Sequence, residues 1–170
     1  DGTFYGLPGS GQNMVGTFNH NVMAIGEFVK YFTRTNQFIG SLAVNYKILP
    51  SLTLKSMIGL DYRLTQDHRY QDPRVNDAFA VSGRLSDQSD WNTNLITTTT
   101  LAYNKTFKDV HNVSGFLGVE YRRDQNQWFQ ADGQGFPSYL LQYLSAASTP
   151  VGVSGQWTAS GTFSQFGKLG

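Results

Sequence analysis

Four segments of this chain alternate with a period of two, and the charges inside them gather on one parity. The segments are Gln37–Tyr46, Leu52–Leu64, Trp91–Asn104 and Asn112–Arg123. Successive side chains of a strand point to opposite faces, so each segment can be split into two faces. One face carries Phe38, Gly40, Leu42, Val44 and Tyr46. Its continuation is Leu52, Leu54, Ser56, Ile58, Leu60 and Tyr62, then Trp91, Thr93, Leu95, Thr97, Thr99, Leu101 and Tyr103, then Val113, Gly115, Leu117, Val119 and Tyr121. None of these is charged. The opposite face holds Lys55, Asp61, Arg63, Glu120 and Arg122, with Lys47 just past the first segment, among Asn, Thr and Ser. The pattern requires strands with one greasy and one wet side, each long enough to meet the roughly 9–11 residues that a tilted strand needs to cross a bilayer.

The apolar face is also graded along its length. Phe38, Tyr46, Tyr62, Trp91, Tyr103 and Tyr121 sit near its ends, and Leu, Val, Ile, Thr and Gly fill the middle. A sandwich core would put its bulk at the centre; aromatic girdles around an aliphatic band belong to an outer-membrane barrel. A Lys or Arg facing lipid at mid-membrane costs roughly 2–4 kcal/mol, which accounts for the sorting of charge. The connections alternate in length as well. Residues 47–51 and 105–111 are short, while 65–90 and 124–154 are long, as periplasmic turns and outer loops are. The first and third strands would then run inward and the second and fourth outward. Tyr46 and Tyr103 would mark the periplasmic interface, and Phe38, Tyr62, Trp91 and Tyr121 the outer one.

Composition agrees with a two-faced sheet. Charged residues are only 15% and aromatics 14%, with nine Tyr, twelve Phe and eighteen Gly. Soluble domains carry about a quarter charged residues. The net charge of +1 and the lack of a basic stripe argue against nucleic acid as a partner. The absence of Cys removes disulfides, thiolate catalysis and Cys-zinc sites. No run reaches the roughly 20 apolar residues of a membrane-crossing helix, which leaves a barrel open. The chain opens at Asp1 without a signal peptide and stops at Gly170 inside what reads as a strand, so the expectation is a piece of a longer protein. Residues 1–36 read as irregular outer-loop material with a helical turn. Residues 37–170 read as barrel strands, the last cut short at 160–170, with Phe163, Gly167 and Leu169 toward lipid and Ser164, Phe166 and Lys168 toward the lumen.

At the level of motifs, Asn36–Arg63 resembles a hairpin of the SusC/RagA importers, and so does Leu101–Arg123. SLTLK at Ser51–Lys55 is similar to the family's GLTFK-like strand, and HNVSGFLGVEY at His111–Tyr121 to its HNLNALLGYEY-like strand. SQFGKLG at Ser164–Gly170 is similar to a YFGRLNY strand start, again after a long variable loop. The resemblance covers about residues 21–170 and rests on the order and spacing of the three motifs together. It implies an all-β fold, about five antiparallel transmembrane strands of a 22-stranded barrel, with the family's plug domain and TonB-contact segment absent from this sequence. It implies import of glycans or peptides across the outer membrane of a Gram-negative cell, with TonB and a SusD-like surface lipoprotein acting as a lid. No cofactor is expected.

No catalytic constellation is evident. His20, His68 and His111 are scattered through loops and turns, without the partners that a triad or metal site needs. Asp87–Asp90, with Asp67 and Asp72 nearby, offers oxygen ligands but not the spacing of a Ca²⁺ loop. Asn104 and Asn112 fall in N-glycosylation patterns by chance at strand–turn junctions. Trp128, Phe129, Tyr139, Tyr143 and Trp157 lie in or near the second long loop, where aromatic faces could stack on sugars or meet a lid protein. Packing of the loop on itself is the simpler role. The charges Lys55, Asp61, Arg63, Glu120 and Arg122 would line the lumen, guiding substrate or, more simply, pairing across neighbouring strands. The reading is therefore a non-enzymatic importer wall. Its rivals are a complete small barrel acting in adhesion or as an enzyme, and a soluble carbohydrate-binding sandwich.

Overall fold

The structure is a computed structural model and describes residues 22–108 and 110–170. Helix α1 (Val22–Phe28) precedes five strands: β1 (Lys30–Leu49), β2 (Leu52–Gln71), β3 (Arg84–Phe107), β4 (His111–Gln134) and β5 (Thr149–Leu169). A four-residue helix α2 (Asn76–Phe79) lies between β2 and β3, and a single 3-10 turn (Leu144–Ala146) between β4 and β5. The strands form one sheet in the order β1-β2-β3-β4-β5. Each strand is joined to its neighbour by a hairpin, which makes the sheet antiparallel, with β1 and β5 as its edges. Sandwich strands average about five or six residues. These run to 20–24 residues, and no second sheet packs on them among the described residues.

The strands extend well past the segments in which alternation is plain. Stretches expected as outer loop, 65–71, 84–90, 124–134 and 149–154, are strand, and so are 30–36. The connections shrink to 72–83 and 135–148. Periodicity failed there because His68, Asp87, Gln127 and Gln130 put polar groups on both faces, so no hydrophobic period announces the strand. The helical turn expected around 21–32 is α1, and the final strand begins at Thr149 rather than 160.

Two compact units emerge. One comprises 1–35, 65–90 and 128–156, and the other 36–64, 91–127 and 157–170. The first holds every buried hydrophobic side chain found among the described residues. Val75 and Ala78 pack with Ile25, Phe28 and Val29; Tyr70, Leu85 and Phe136 pack with Leu144, Ala146 and Ala147. The two longer connections are tied by backbone bonds from Gly135 N to Gly83 O (3.2 Å) and from Phe136 N to Ser82 O (2.8 Å). Gly83 and Gly135 have φ of +94° and +78°, a region open to glycine without cost. At Gly135 a Cβ would also stand 2.2 Å from Ser148 Oγ. The second unit contains no buried hydrophobic side chain among the described residues, and Leu42, Val44, Tyr46, Leu117 and Phe163 are all exposed.

Candidate functional site

The candidate site is the pair of sheet faces, and cross-strand hydrogen bonds show which residues share one. Ser56 Oγ and Thr99 Oγ1 meet at 3.0 Å, and Asn104 N donates to Ser51 O at 2.9 Å. That register sets Leu54 opposite Leu101 and Leu52 opposite Tyr103. Across β3 and β4, Thr98 Oγ1 donates to Glu120 Oε2 (3.1 Å) and Asn126 Nδ2 to Asn92 Oδ1 (2.8 Å). Leu101 then opposes Leu117, and Thr99 opposes Val119. Between β4 and β5, Ser114 and Gly170 exchange both backbone bonds, and a Cβ on Gly167 would meet Leu117 Cδ2 at 2.8 Å. The residues assigned to the apolar face by alternation therefore share one side from β2 to β5, Phe163, Gly167 and Leu169 included.

Three departures follow from the same register. Arg123 closes the fourth segment on the apolar parity, one pair beyond Tyr121 and opposite Leu95. Trp91 opposes Leu64, whereas Tyr121 opposes Thr97. A line through Tyr62 and Tyr121 crosses β3 at Leu95, about 13 Å along the strand from Trp91 at roughly 3.3 Å per residue. Tilted strands stagger a level girdle across successive rows, but no single tilt brings Trp91 onto the line of Tyr62 and Tyr121. The other face is not wholly polar either. Phe116 and Phe166 pack edge to face there, with centroids 6.1 Å apart at 65°. Gly118 makes room for them, since a Cβ would lie 2.5 Å from the Phe166 ring.

On the polar face the expected ion pairing is replaced by neutral partners. Gln37 Nε2 donates to Asp61 Oδ1 at 2.9 Å, and Glu120 takes the Thr98 hydroxyl. No ion pair joins Asp61 or Glu120 to Lys55, Arg63 or Arg122. The Thr98 hydroxyl stands directly across from Glu120 and the Gln37 amide diagonally across from Asp61, and both reach the carboxylate with less side-chain ordering than a long Arg requires. A concavity of about 480 Å³ on this face is lined by Ile39, Met57, Asp61, Asn94, Ile96 and Arg122. In the first unit the same kind of bonding continues: Thr33 and Thr35 bond Asp67 and Thr65, and Gln71 Nε2 donates to Tyr31 OH at 2.8 Å.

The aromatic group assigned to the second loop does not form one surface. Trp128 and Phe129 are successive residues of β4, on opposite faces, and Trp157 lies in β5. Only Tyr139 and Tyr143 belong to the connection. Tyr139 stacks on the Arg74 guanidinium (4.1 Å), which is covered on another side by Phe28 (3.8 Å). Arg74 holds buried Asp72 through Nε (2.8 Å), NH2 (2.8 Å) and its backbone N (2.9 Å). The Asp72 hydrogen bond pushes the Arg74 pKa up from its ordinary value. Sequence reasoning missed this clamp: the D-x-R turn is local, but its aromatic covers come from distant segments.

His68 is not isolated. Its Nδ1 lies 2.6 Å from Asp87 Oδ1, and its ring stacks on Phe32 at 4.8 Å. Among the described residues no nucleophile is bonded to this pair. Asp87 and Asp90 stand in β3 on opposite faces, so they make no cation loop. His111 opens β4, and His20 lies outside the described residues. No group of three His, Cys, Asp or Glu that could hold a metal occurs among the described residues.

No protein-family model matches the chain, and no curated protein does. Solved structures do. A chain of the RagAB peptide importer in the open-open state matches with a TM-score of 0.79 at 17% identity, covering 99% of this chain and 19% of that one. A chain of the RagAB peptide transporter matches at 0.80, and one of the closed-closed state at 0.81. Both are 17% identical and cover 93% of this chain and 18% of theirs. This chain thus spans about a fifth of the length of the chains it matches. At that identity the likeness is one of fold: the five-stranded sheet is built like about a fifth of a RagAB peptide-importer chain.

Proposed function

We propose that this chain forms part of the wall of an outer-membrane importer of the SusC/RagA type, taking up oligopeptides or oligosaccharides. The observation that carries the reading is the sorting of side chains over 20–24-residue strands. One face is apolar and exposed, and the other is laid with hydrogen-bonded amides, hydroxyls and charges. The apolar band meets lipid, and the polar face lines the lumen with Lys55, Asp61, Arg63, Glu120 and Arg122. Phe38, Tyr46, Tyr62, Tyr103 and Tyr121 stand at the two interfaces, and Trp91 reaches beyond the outer one. The open edges of β1 and β5 pair with further strands, since long bare edges otherwise invite aggregation. Tyr139 and Tyr143 on the second connection are the contacts offered to substrate or to a lid lipoprotein. By the family resemblance, energy reaches the transporter through TonB. Likeness to peptide importers favours peptides as cargo.

The test is import. Cells carrying the native protein should accumulate a fluorescent oligopeptide or oligosaccharide, and a gene disruption or collapse of the proton-motive force should abolish the uptake. The purified polypeptide should require detergent, migrate heat-modifiably and have an intact mass several-fold above 18.9 kDa. A detergent-free soluble protein with a mass near 18.9 kDa would sink the proposal in favour of a sandwich. A detergent-requiring one would leave the small barrel.

A further inference from the structure

The polar face of the first unit carries a second concavity, of about 490 Å³, that none of the sequence motifs pointed to. Tyr31, Arg69, Gln71, Arg84, Ser86 and Asp132 line it. The His68–Asp87 contact fixes the β2–β3 register there, with Arg69 opposite Ser86 and Gln71 opposite Arg84. The two arginines therefore stand diagonally across one strand pair and share a hollow.

The hydrogen-bond accounts of these residues are lopsided. Asp132, the one carboxylate lining the hollow, is already engaged: Gln130 Nε2 lies 3.0 Å from both its oxygens. Gln130 also reaches Ser86 Oγ at 3.2 Å. The Tyr31 hydroxyl accepts from Gln71, which fixes the ring and leaves its own proton to give. Arg84 is exposed and has no ion-pair partner among the described residues. Arg69 meets Asp67 only at 4.0 Å, and its side chain is 63% exposed. The hollow thus offers two guanidinium forks and a phenol as donors, and its two cations outnumber its one carboxylate, which holds the Gln130 amide. Such forks match the planar geometry of a carboxylate and bind it through two parallel N–H···O bonds.

We propose that Arg69 and Arg84, with Tyr31, form a subsite that binds a carboxylate of the imported substrate. The inference rests on the importer reading above. The carboxylate can come from a peptide C-terminus or from a uronic acid of an oligosaccharide, and the experiment separates the two. The full-length transporter, purified in detergent, is titrated with four probes: penta-alanine, its C-terminal amide, trigalacturonic acid and maltotriose. The same titrations are run on R69Q and R84Q, whose folding is checked by heat-modifiable migration.

A peptide source predicts penta-alanine binding roughly tenfold tighter than its amide, the scale of one charge-assisted bidentate contact. Each variant should remove most of that preference and leave the amide's affinity unchanged. A uronic-acid source predicts the same Arg-dependent preference for trigalacturonic acid over maltotriose. Equal affinity within both pairs overturns the subsite, as does a variant that weakens charged and neutral members alike. A parent protein that binds none of the probes overturns it too. In that case the cellular import assay decides separately whether the importer reading stands.

Discussion

The two units of this chain use the same five strands in opposite ways. In the unit made of 1–35, 65–90 and 128–156, hydrophobic side chains are buried by the chain itself. Tyr70, Leu85 and Phe136 form one small core, Val75 and Ala78 another, and a cation clamp at Arg74 closes the connections. In the unit made of 36–64, 91–127 and 157–170, leucines, valines and aromatics stay exposed or half-exposed, with none buried among the described residues. Burial of apolar surface is the main driving force of folding. A unit with no core among its described residues gains such stabilisation only from what covers its apolar face, which under the importer proposal is a bilayer. The lesson is that stability in one unit should respond to side-chain packing, and in the other to what faces the solvent it sits in.

The largest effect should come from the second unit. Leu117 is 72% exposed, and in a water-soluble protein Leu117→Arg would be nearly neutral. Facing lipid, it should cost roughly 2–4 kcal/mol, depending on depth. Thr100→Arg, on the polar face beside it, should cost far less. Denaturant unfolding of the full-length protein in vesicles would measure both. Equal costs would break the comparison at its base.

Next in size is the clamp. Arg74→Ala strands buried Asp72 without its guanidinium and removes the cation between Phe28 and Tyr139. A loss of roughly 1–3 kcal/mol is expected, as for a buried polar group left unsatisfied. It should appear as protease cleavage within 72–83 and 135–148, with the heat-modifiable band intact. Gly135→Ala should act on the same connections more weakly, by about 1–2 kcal/mol. It combines a positive φ with a methyl group pressed on Ser148 Oγ. Limited proteolysis, followed by mass spectrometry, reads both. If either variant instead abolished membrane insertion, the units would not be separable in stability.

How much of this was legible in the sequence divides along the same line. In the second unit alternation alone assigned nearly every face, because the two parities of its strands differ so strictly in polarity. Its departures were local: Arg123, one same-face position past Tyr121 on the apolar parity, and Trp91, two same-face positions off the line of Tyr62 and Tyr121. In the first unit both sheet faces are polar or mixed, so strand residues such as Gln66, His68, Gln88 and Gln130 read as loop. The His68–Asp87 contact, the Arg74 clamp and the two-arginine hollow arise from pairing between residues on different strands, or from a turn whose aromatic covers lie on other segments. No single-sequence period encodes such pairings. The missing ion pairs on the polar face have a related cause, since the sequence shows which charges exist but not which neutral groups stand closer.

The smallest prediction concerns Tyr70, which belongs to the outer extension of β2, beyond the apolar band. Its side chain is fully buried, and its hydroxyl finds no hydrogen-bond partner among the described residues. Burial, with Asp72 adding to it, pushes its pKa up to about 12 from the ordinary 10. The folded state thus holds the phenol neutral at a pH where the unfolded chain ionises it. Its contribution to stability is complete below pH 10 and is lost as the pH rises through 12. Tyr70→Phe removes both the unpaired hydroxyl and the titration, so it should be neutral or slightly stabilising at pH 7. The difference between the two proteins should then widen in favour of Phe between pH 10 and 12. Unfolding of the outer connections, followed by protease protection against pH, would show it. A constant difference across that range would mean that the hydroxyl reaches water, and that the small core of the first unit is looser than its packing indicates.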